Sequence, residues 1–322
     1  MKIKIWSFIL LISTVLFIAC DPDETGEGNG KVKNYWESNA WVRMQLRGKV
    51  KSVTEISDYH GSFNNTSTHF NNQGFITKIT SSTDGQTTHE TNYYYNKLGQ
   101  LEKEINESKN SRSADTTFYT YDTHGKYVIN STFHIHETGL TPNLKSIRTI
   151  GDYLTEYTFE GDELLIIGTS IYDDELSKDT TIVQYNGKYP VGTTTEWSFV
   201  ENMQFYPNGM FKQYSEGFYG TDFRDTRTYH FHDDNEFLRK KSATYTSTGD
   251  YGSTSSFTYT YNDKKDLTEI KEMQEDVVAY IEEYFDYTYD DHNNWTSRKQ
   301  RSKYDGGEWN TGYIETREFV YW

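Results

Sequence analysis

A nine-residue pattern recurs along this chain and constrains its fold more than any other feature. It is seen in YYYNKLGQL (93–101), YTYDTHGKY (119–127), YHFHDDNEF (229–237), YTYNDKKDL (259–267) and YTYDDHNNW (287–295). Each copy holds an aromatic anchor at its third place. The full set of anchors is Phe70, Tyr95, Tyr121, Phe159, Tyr185, Phe205, Phe231, Tyr261, Tyr289 and Tyr321. Six residues after the first nine anchors stand Ile76, Leu101, Tyr127, Leu165, Val191, Phe211, Phe237, Leu267 and Trp295, all apolar or aromatic. Gly or Asn stands four residues after six of those anchors (Gly74, Gly99, Gly125, Gly209, Asn235 and Asn293). Met44-Gly48-Val50 reads as a degenerate first copy.

This unit has the physics of a β-hairpin. Aromatic-x-aromatic places two rings on one face of a strand. Asp or Asn then opens a turn and Gly or Asn closes it. The returning strand begins with an apolar side chain that can meet the anchor across the hairpin. Turns are therefore expected at Asn71–Gly74, Asn96–Gly99, Asp122–Gly125 and Asp290–Asn293. Repeated at spacings of 20 to 38 residues, the units predict an all-β chain. They form a long antiparallel meander of hairpins, curled into a barrel-like or shell-like sheet across one repeat domain, residues 35–322. One stretch competes with this reading. Ile270, Met273, Val277, Val278, Ile281 and Tyr284 recur at helical spacing. The flanking anchors Tyr261 and Tyr289 sit at ordinary repeat distance, and strands are the reading adopted.

Composition agrees. Hydrophobic residues make up 34% and aromatics 16%, with 28 Tyr and 18 Phe. Buried parallel strands need runs of Val, Ile and Leu that are missing here, whereas Tyr, Phe and Thr suit a pleated surface. The formal charge of −16 repels phosphate backbones, so nucleic acid is excluded as a partner. An integral outer-membrane barrel would need a lipid-facing apolar band on every strand. The alternate positions here are Thr, Ser and charged residues, and mean hydropathy is −0.85.

The N-terminus carries its own signal. Lys2 and Lys4 precede an apolar run, Ile5 to Ala19, of signal-peptide length. It ends in Leu16-Phe17-Ile18-Ala19-Cys20, and Cys20 is the single cysteine of the chain. This resembles the bacterial lipobox, which implies cleavage before Cys20 and lipidation of its thiol. Residues 1–19 then form the signal peptide. Residues 20–34, with the run Asp21 to Gly30, form a flexible acidic tether. The acidic cluster behind Cys20 also resembles the surface-export signal of Bacteroidota lipoproteins. The expected location is the outer membrane, on its surface or its periplasmic face, with the lipid anchor as the membrane contact.

Tyr119 to Tyr127 matches the Y-x-Y-D-x-x-G-x-L core of Rhs-type YD repeats, with Tyr in the last place. Tyr93 to Leu101 matches with Asn96 for Asp. YDDHNNWTSR, ETREFVYW and the opening LRGKVKSVTE are similar to segments of uncharacterised YD-repeat lipoproteins of Bacteroidota. The copies around Phe159, Tyr185 and Phe205 match poorly. The resemblance implies antiparallel hairpins in a curled sheet and no particular activity.

Chemical motifs are sparse, and neither catalytic residues nor cofactors are expected. His134-x-His136 and His230-x-His232 each place two imidazoles on one strand face, with no further metal ligand at a definable spacing. The pairs Asp173-Asp174, Asp233-Asp234 and Asp290-Asp291 read as solvated turn residues. Asp115-Thr116-Thr117 and Asp179-Thr180-Thr181 resemble Bacteroidota O-glycosylation acceptors, which nominates Thr116 and Thr180. Trp197 and Trp309 fall outside the repeat positions and are the candidates for a ligand face, since exposed rings stack on sugars or peptides. The functional expectation is a lipid-anchored, non-enzymatic binding or structural module of the envelope, with a glycan or an envelope protein as ligand. The alternative is a carbohydrate-active enzyme on an all-β scaffold, which would require two carboxylates facing each other across a cleft.

Overall fold

The computed structural model describes residues 38–322, except 60–61, 110–112, 130–139, 151–152, 161–162, 173–174, 232–239, 250–251 and 311. Cys20, the tether, His134, His136, His232 and the pairs Asp173-Asp174 and Asp233-Asp234 lie outside the described residues. One short helix, α1 (Ala40–Arg43), precedes the strands. The first strands are β1 (Val50–Tyr59), β2 (Ser62–Phe70), β3 (Ile76–Thr83), β4 (Gln86–Tyr95), β5 (Leu101–Ser108) and β6 (Ser113–Tyr121). A small ribbon follows, β7 (Tyr127–Ile129) with β8 (Leu140–Pro142). Then come β9 (Leu144–Thr149), β10 (Tyr153–Glu160), β11 (Glu163–Tyr172), β12 (Glu175–Asn186), β13 (Tyr189–Thr194), β14 (Ser198–Phe205) and β15 (Phe211–Phe218). The last are β16 (Arg224–Phe231), β17 (Lys240–Thr248), β18 (Thr254–Tyr261), β19 (Leu267–Gln274), β20 (Val277–Tyr289), β21 (Trp295–Tyr304) and β22 (Tyr313–Tyr321).

Each strand except those of the ribbon pairs antiparallel with its neighbours in the chain, and β6 passes over the ribbon to pair with β9. The ring then closes: β22 pairs with β1, Phe319 opposite Val53 and Arg317 opposite Glu55. The result is a closed 20-stranded antiparallel β-barrel. Closure removes both sheet edges. Residues 267–289 are two strands, so the helical spacing there was a by-product of an amphipathic hairpin.

The repeat builds one end of this barrel. Three of its four expected turns are present; Asp122–Gly125 is instead a bend in which Asp122 N–H donates to the Asn143 carbonyl and Gly125 N–H to Asn143 Oδ1, because the chain leaves the sheet there for the ribbon. In the first, Asn71 N–H donates to the Phe75 carbonyl (2.9 Å) and Gly74 N–H to the Asn71 carbonyl (3.0 Å). Asn71 Oδ1 also accepts from the N–H groups of Gln73 and Phe75, both at 3.0 Å. Asn96 and Asp290 repeat this scheme. The closing residue has a positive φ, +82° at Gly74 and +63° at Asn293, which is why Gly or Asn stands there. A one-residue shift in register precedes the anchor in most copies, as between His69 and Phe70 and between Tyr94 and Tyr95. Five anchors pair with the residue six positions on: Phe70–Ile76, Tyr95–Leu101, Phe205–Phe211, Tyr261–Leu267 and Tyr289–Trp295.

The other copies differ for physical reasons. Tyr121 meets Leu144 because the ribbon is inserted between them. Phe159 meets Leu164 and Tyr185 meets Pro190, because their hairpins turn in two residues (Glu160 opposite Glu163, Asn186 opposite Tyr189). Phe231 meets Lys240, and Phe237 lies outside the described residues.

The anchors Phe70, Tyr121, Phe159, Tyr185, Phe205 and Tyr321 pack into the core clusters inside the barrel. Inside, eight rings run from Tyr127 through Tyr189, Phe205, Phe211, Tyr214, Tyr229 and Tyr245 to Phe257, with centroids 4.8–6.3 Å apart. Such ladders supply the cohesion that aliphatic side chains give elsewhere. Charged side chains share this face in pairs. Arg227 binds Glu216 (2.7 Å) and Asp225 (3.2 Å) between Tyr214 and Tyr245. Arg298 binds Glu315 and lies over Tyr284 and Trp295. The outer face carries Lys78–Glu90 (2.8 Å), Arg301–Glu283 (2.6 Å) and Lys299–Asp286 (2.8 Å). Charges in these places make the outer wall a water-facing one.

Two insertions pack at the end formed by the repeat turns. The ribbon buries Tyr127, Val128 and Leu140 against the larger core cluster. The segment around α1 buries Ala40 and Leu46 with Val50, Val53 and Phe70. Ala40 N–H donates to the Gly74 carbonyl (2.8 Å) and Trp41 Nε1–H to the Val50 carbonyl (2.8 Å). Asn294 grips Arg47 twice at 2.8 Å, N–H to Oδ1 and Nδ2–H to carbonyl, and also reaches the Tyr321 hydroxyl (2.7 Å). The described chain thus begins at the repeat-turn end, tied across the closing seam. The opposite end carries the remaining turns, including Thr195–Ser198 between β13 and β14 and Tyr304–Tyr313 between β21 and β22.

Candidate functional site

The hydrogen-bonded ladder between β13 and β14 is short. Only Thr193–Val200 and Thr194–Phe199 pair, whereas most neighbouring strands pair over five or more residues. Two local features separate the strands. Pro190 brings no N–H to the start of β13, and Asn202 in β14 adopts φ +57°, breaking the pleat at the matching place. A groove of about 690 Å³ opens between them. Gln184, Gly192, Thr194, Glu201, Tyr219 and Arg224 are among the residues lining it, and Val200 and Met203 form part of its apolar floor. That volume lies in the range of small-molecule and oligomer sites.

Aromatic side chains surround the outer mouth. Phe199 and Tyr219 approach to 5.3 Å between centroids. Gly217 permits this: a Cβ there would lie 2.7 Å from the Phe199 ring. Arg224 covers Phe199 at 5.4 Å and pairs with Glu201 at 3.1 Å, leaving one carboxylate among the lining residues, held by a cation. The β13–β14 turn is pinned by Thr195, whose Oγ1 accepts the Ser198 N–H (2.9 Å). It thereby presents Trp197 outward, 72% exposed. The Tyr219 N–H donates to the Trp197 carbonyl (2.9 Å), joining this turn to the next. Phe218 and Phe223, 5.7 Å apart, continue the exposed patch.

Trp197, nominated from the sequence, therefore stands in the turn beside the groove, joined to its lining residue Tyr219 but not itself part of the lining. Trp309 lies at the same end but in the β21–β22 turn, eight strands further round the ring. It does not join this site, and Arg301 (4.3 Å) and Lys303 (4.6 Å) sit over its ring. Trp295 is buried and pairs with Tyr289, as its repeat position implied. Thr116 and Thr180 occupy outward positions in the middle of β6 and β12, within paired strands. His230 is exposed on β16. The described residues contain no group of three or more His, Cys, Asp or Glu placed to hold a metal. The residues that the sequence reading missed are Phe199, Glu201, Tyr219 and Arg224. Their one signal was the weak match of the repeat around Tyr185 and Phe205, together with Pro190 inside a strand.

No protein-family model and no curated protein matches this chain. Among solved structures it is similar to a porin-like protein from Bacteroides uniformis, at 8% identity and TM-score 0.34, over 84% of this chain and 96% of that one. A porin-like protein from Bacteroides vulgatus gives 10% identity and TM-score 0.33, over 84% and 98%. TcdB2-TccC3 without its hypervariable C-terminal region gives 8% and 0.22, over 81% of this chain and 18% of that one. At these scores the likeness carries no argument about what the chain does.

Proposed function

We propose that this chain is a lipid-anchored protein of the bacterial outer membrane. It acts as a non-enzymatic binding module of the YD-repeat type and holds a glycan chain in the groove between β13 and β14. The observation that carries the reading is the groove itself, a hollow in the barrel wall lined by Phe199 and Tyr219, with Trp197 exposed in the adjoining turn. Sugar rings present apolar C–H faces to aromatic planes, and their hydroxyls meet amide and hydroxyl groups such as those of Gln184, Thr194 and Asn202. The anchor supports the location: the water-facing outer wall leaves membrane attachment to acyl chains on Cys20, and more than one chain is needed for stable attachment.

Glycan oligomers and cell-wall fragments titrated against the protein, followed by tryptophan fluorescence, test the ligand. Saturable change in the wild type and in Trp309→Phe, weakened about tenfold in Trp197→Phe, is the expected result (about 1.4 kcal/mol). Binding unaltered by Trp197→Phe would remove the groove from the account. Metabolic labelling with a lipid analogue tests the anchor. The wild type should be tagged and Cys20→Ser should not; equal labelling of both would overturn it.

A further inference from the structure

The two ends of the barrel differ in charge, and Phe199, Tyr219 and Arg224 bring one side of the groove next to the turns of the acidic one. Glu196 adjoins Trp197 in the β13–β14 turn, and Asp222 adjoins Phe223 in the β15–β16 turn; both are exposed. Asp84, Glu275, Asp276, Asp305 and Glu308 are exposed in other turns of the same end. Of the cations there, Lys109 pairs with Glu107, Arg224 with Glu201, and Lys303 lies over the Trp309 ring. The repeat-turn end is different, since Lys97, Lys126, Lys188, Lys264 and Lys265 stand in its turns beside Asp122, Asp263, Asp290 and Asp291.

Resting on the glycan reading above, we infer that the occupant of the groove is an amine-bearing glycan, a polymer of amino sugars with free ammonium groups. Tyr219 lines the groove, and Trp197, Phe218 and Phe223 are exposed in and beside the two turns next to it. Aromatic faces attract cations through the ring quadrupole and stack on sugar faces, so an amino sugar uses both properties of one surface. Carboxylates flanking those rings raise the local concentration of a cation and repel uronic or phosphorylated polymers. A neutral glycan would use the rings and leave the charge idle. Lys126, Lys188 and Lys264, which lie over tyrosine and phenylalanine rings at the repeat-turn end, show the same contact made within the chain.

The test compares glucosamine hexamers, their fully N-acetylated counterparts and lysine hexamers of matched charge. Binding to the full mature protein is read by calorimetry at about 50 mM and about 500 mM salt, on either side of strong screening. The glucosamine hexamer should bind at least about tenfold more tightly than the acetylated one at low salt, and the gap should close at high salt. Glu196→Gln with Asp222→Asn, both exposed and free to fold, should abolish the preference and leave binding of the acetylated hexamer unchanged. Equal affinity for both hexamers would overturn the charge inference and leave the glycan reading intact. No binding of either would sink both. Equal binding of the lysine hexamer, with the same dependence on Trp197, would overturn the choice of a sugar in favour of a basic polypeptide.

Discussion

At the scale of single residues, the left-handed positions decide whether the hairpins close. Gly74 and Gly85 have nearly the same φ, +82° and +78°, yet their surroundings differ. A Cβ on Gly74 would lie 2.7 Å from the Trp41 ring, whereas one on Gly85 meets nothing within 4 Å. Gly85→Ala should therefore cost only the backbone strain, about 1 kcal/mol. Gly74→Ala should add displacement of the α1 segment and cost about 2–4 kcal/mol in all. Urea unfolding of the two variants measures the difference, and equal losses would mean that α1 is not seated on the first repeat turn. Gly74 was legible as a turn residue from its place in the repeat. Its second role was not, because nothing in the sequence says that a tryptophan 33 positions earlier packs over it.

Among elements, the segment before β1 holds the closing seam. Asn294 is 4% exposed and supplies both hydrogen bonds to Arg47 together with the bond to Tyr321. Asn294→Ala leaves the part-buried N–H and carbonyl of Arg47 without their partner, which should cost about 1–3 kcal/mol. Hydrogen exchange should rise selectively in β1 and β22 while β11 and β12 keep their protection. Uniform acceleration would mean that the seam is not a local unit. The hairpins themselves were legible, because an anchor, a turn and an apolar partner repeat at set offsets. The ribbon was not: Tyr127 satisfied the offset and is nonetheless diverted into a cap. The groove was hidden for a related reason. It forms where the copies at Tyr185 and Phe205 depart from the pattern, and a departure shows that pairing changes without showing how. In a repeat protein such irregular copies are where a site can open, since regular ones are committed to the wall.

For the whole molecule, the interior is a store of tyrosine hydroxyls. Among the described residues, fifteen tyrosines are held above their ordinary pKa, chiefly by burial, Tyr95 to about 12. A raised folded pKa means that the protonated form is favoured in the barrel. That stability is complete below the unfolded pKa of about 10 and is lost as pH rises through the folded values. Absorbance at 295 nm and far-UV circular dichroism, followed together, should show these fifteen tyrosines staying protonated while the fold holds. They should ionise in one step with unfolding between about pH 10 and 12. Smooth titration near pH 10 with the strand signal intact would contradict a ring-lined interior. The location of the groove, the polarity of the two ends and this interior all depend on closure of the ring, and closure was the feature that the sequence left open between a barrel and a curled sheet. It rests on the pairing of β22 with β1, where Thr54 stands opposite Glu318. Thr54→Cys with Glu318→Cys, made in Cys20→Ser, tests it most directly. The barrel predicts near-complete disulfide formation under mild oxidation, seen as a faster band on non-reducing gels, and none for Thr54→Cys with Lys299→Cys. Failure of the first pair to cross-link in folded protein would show an open sheet and contradict the account.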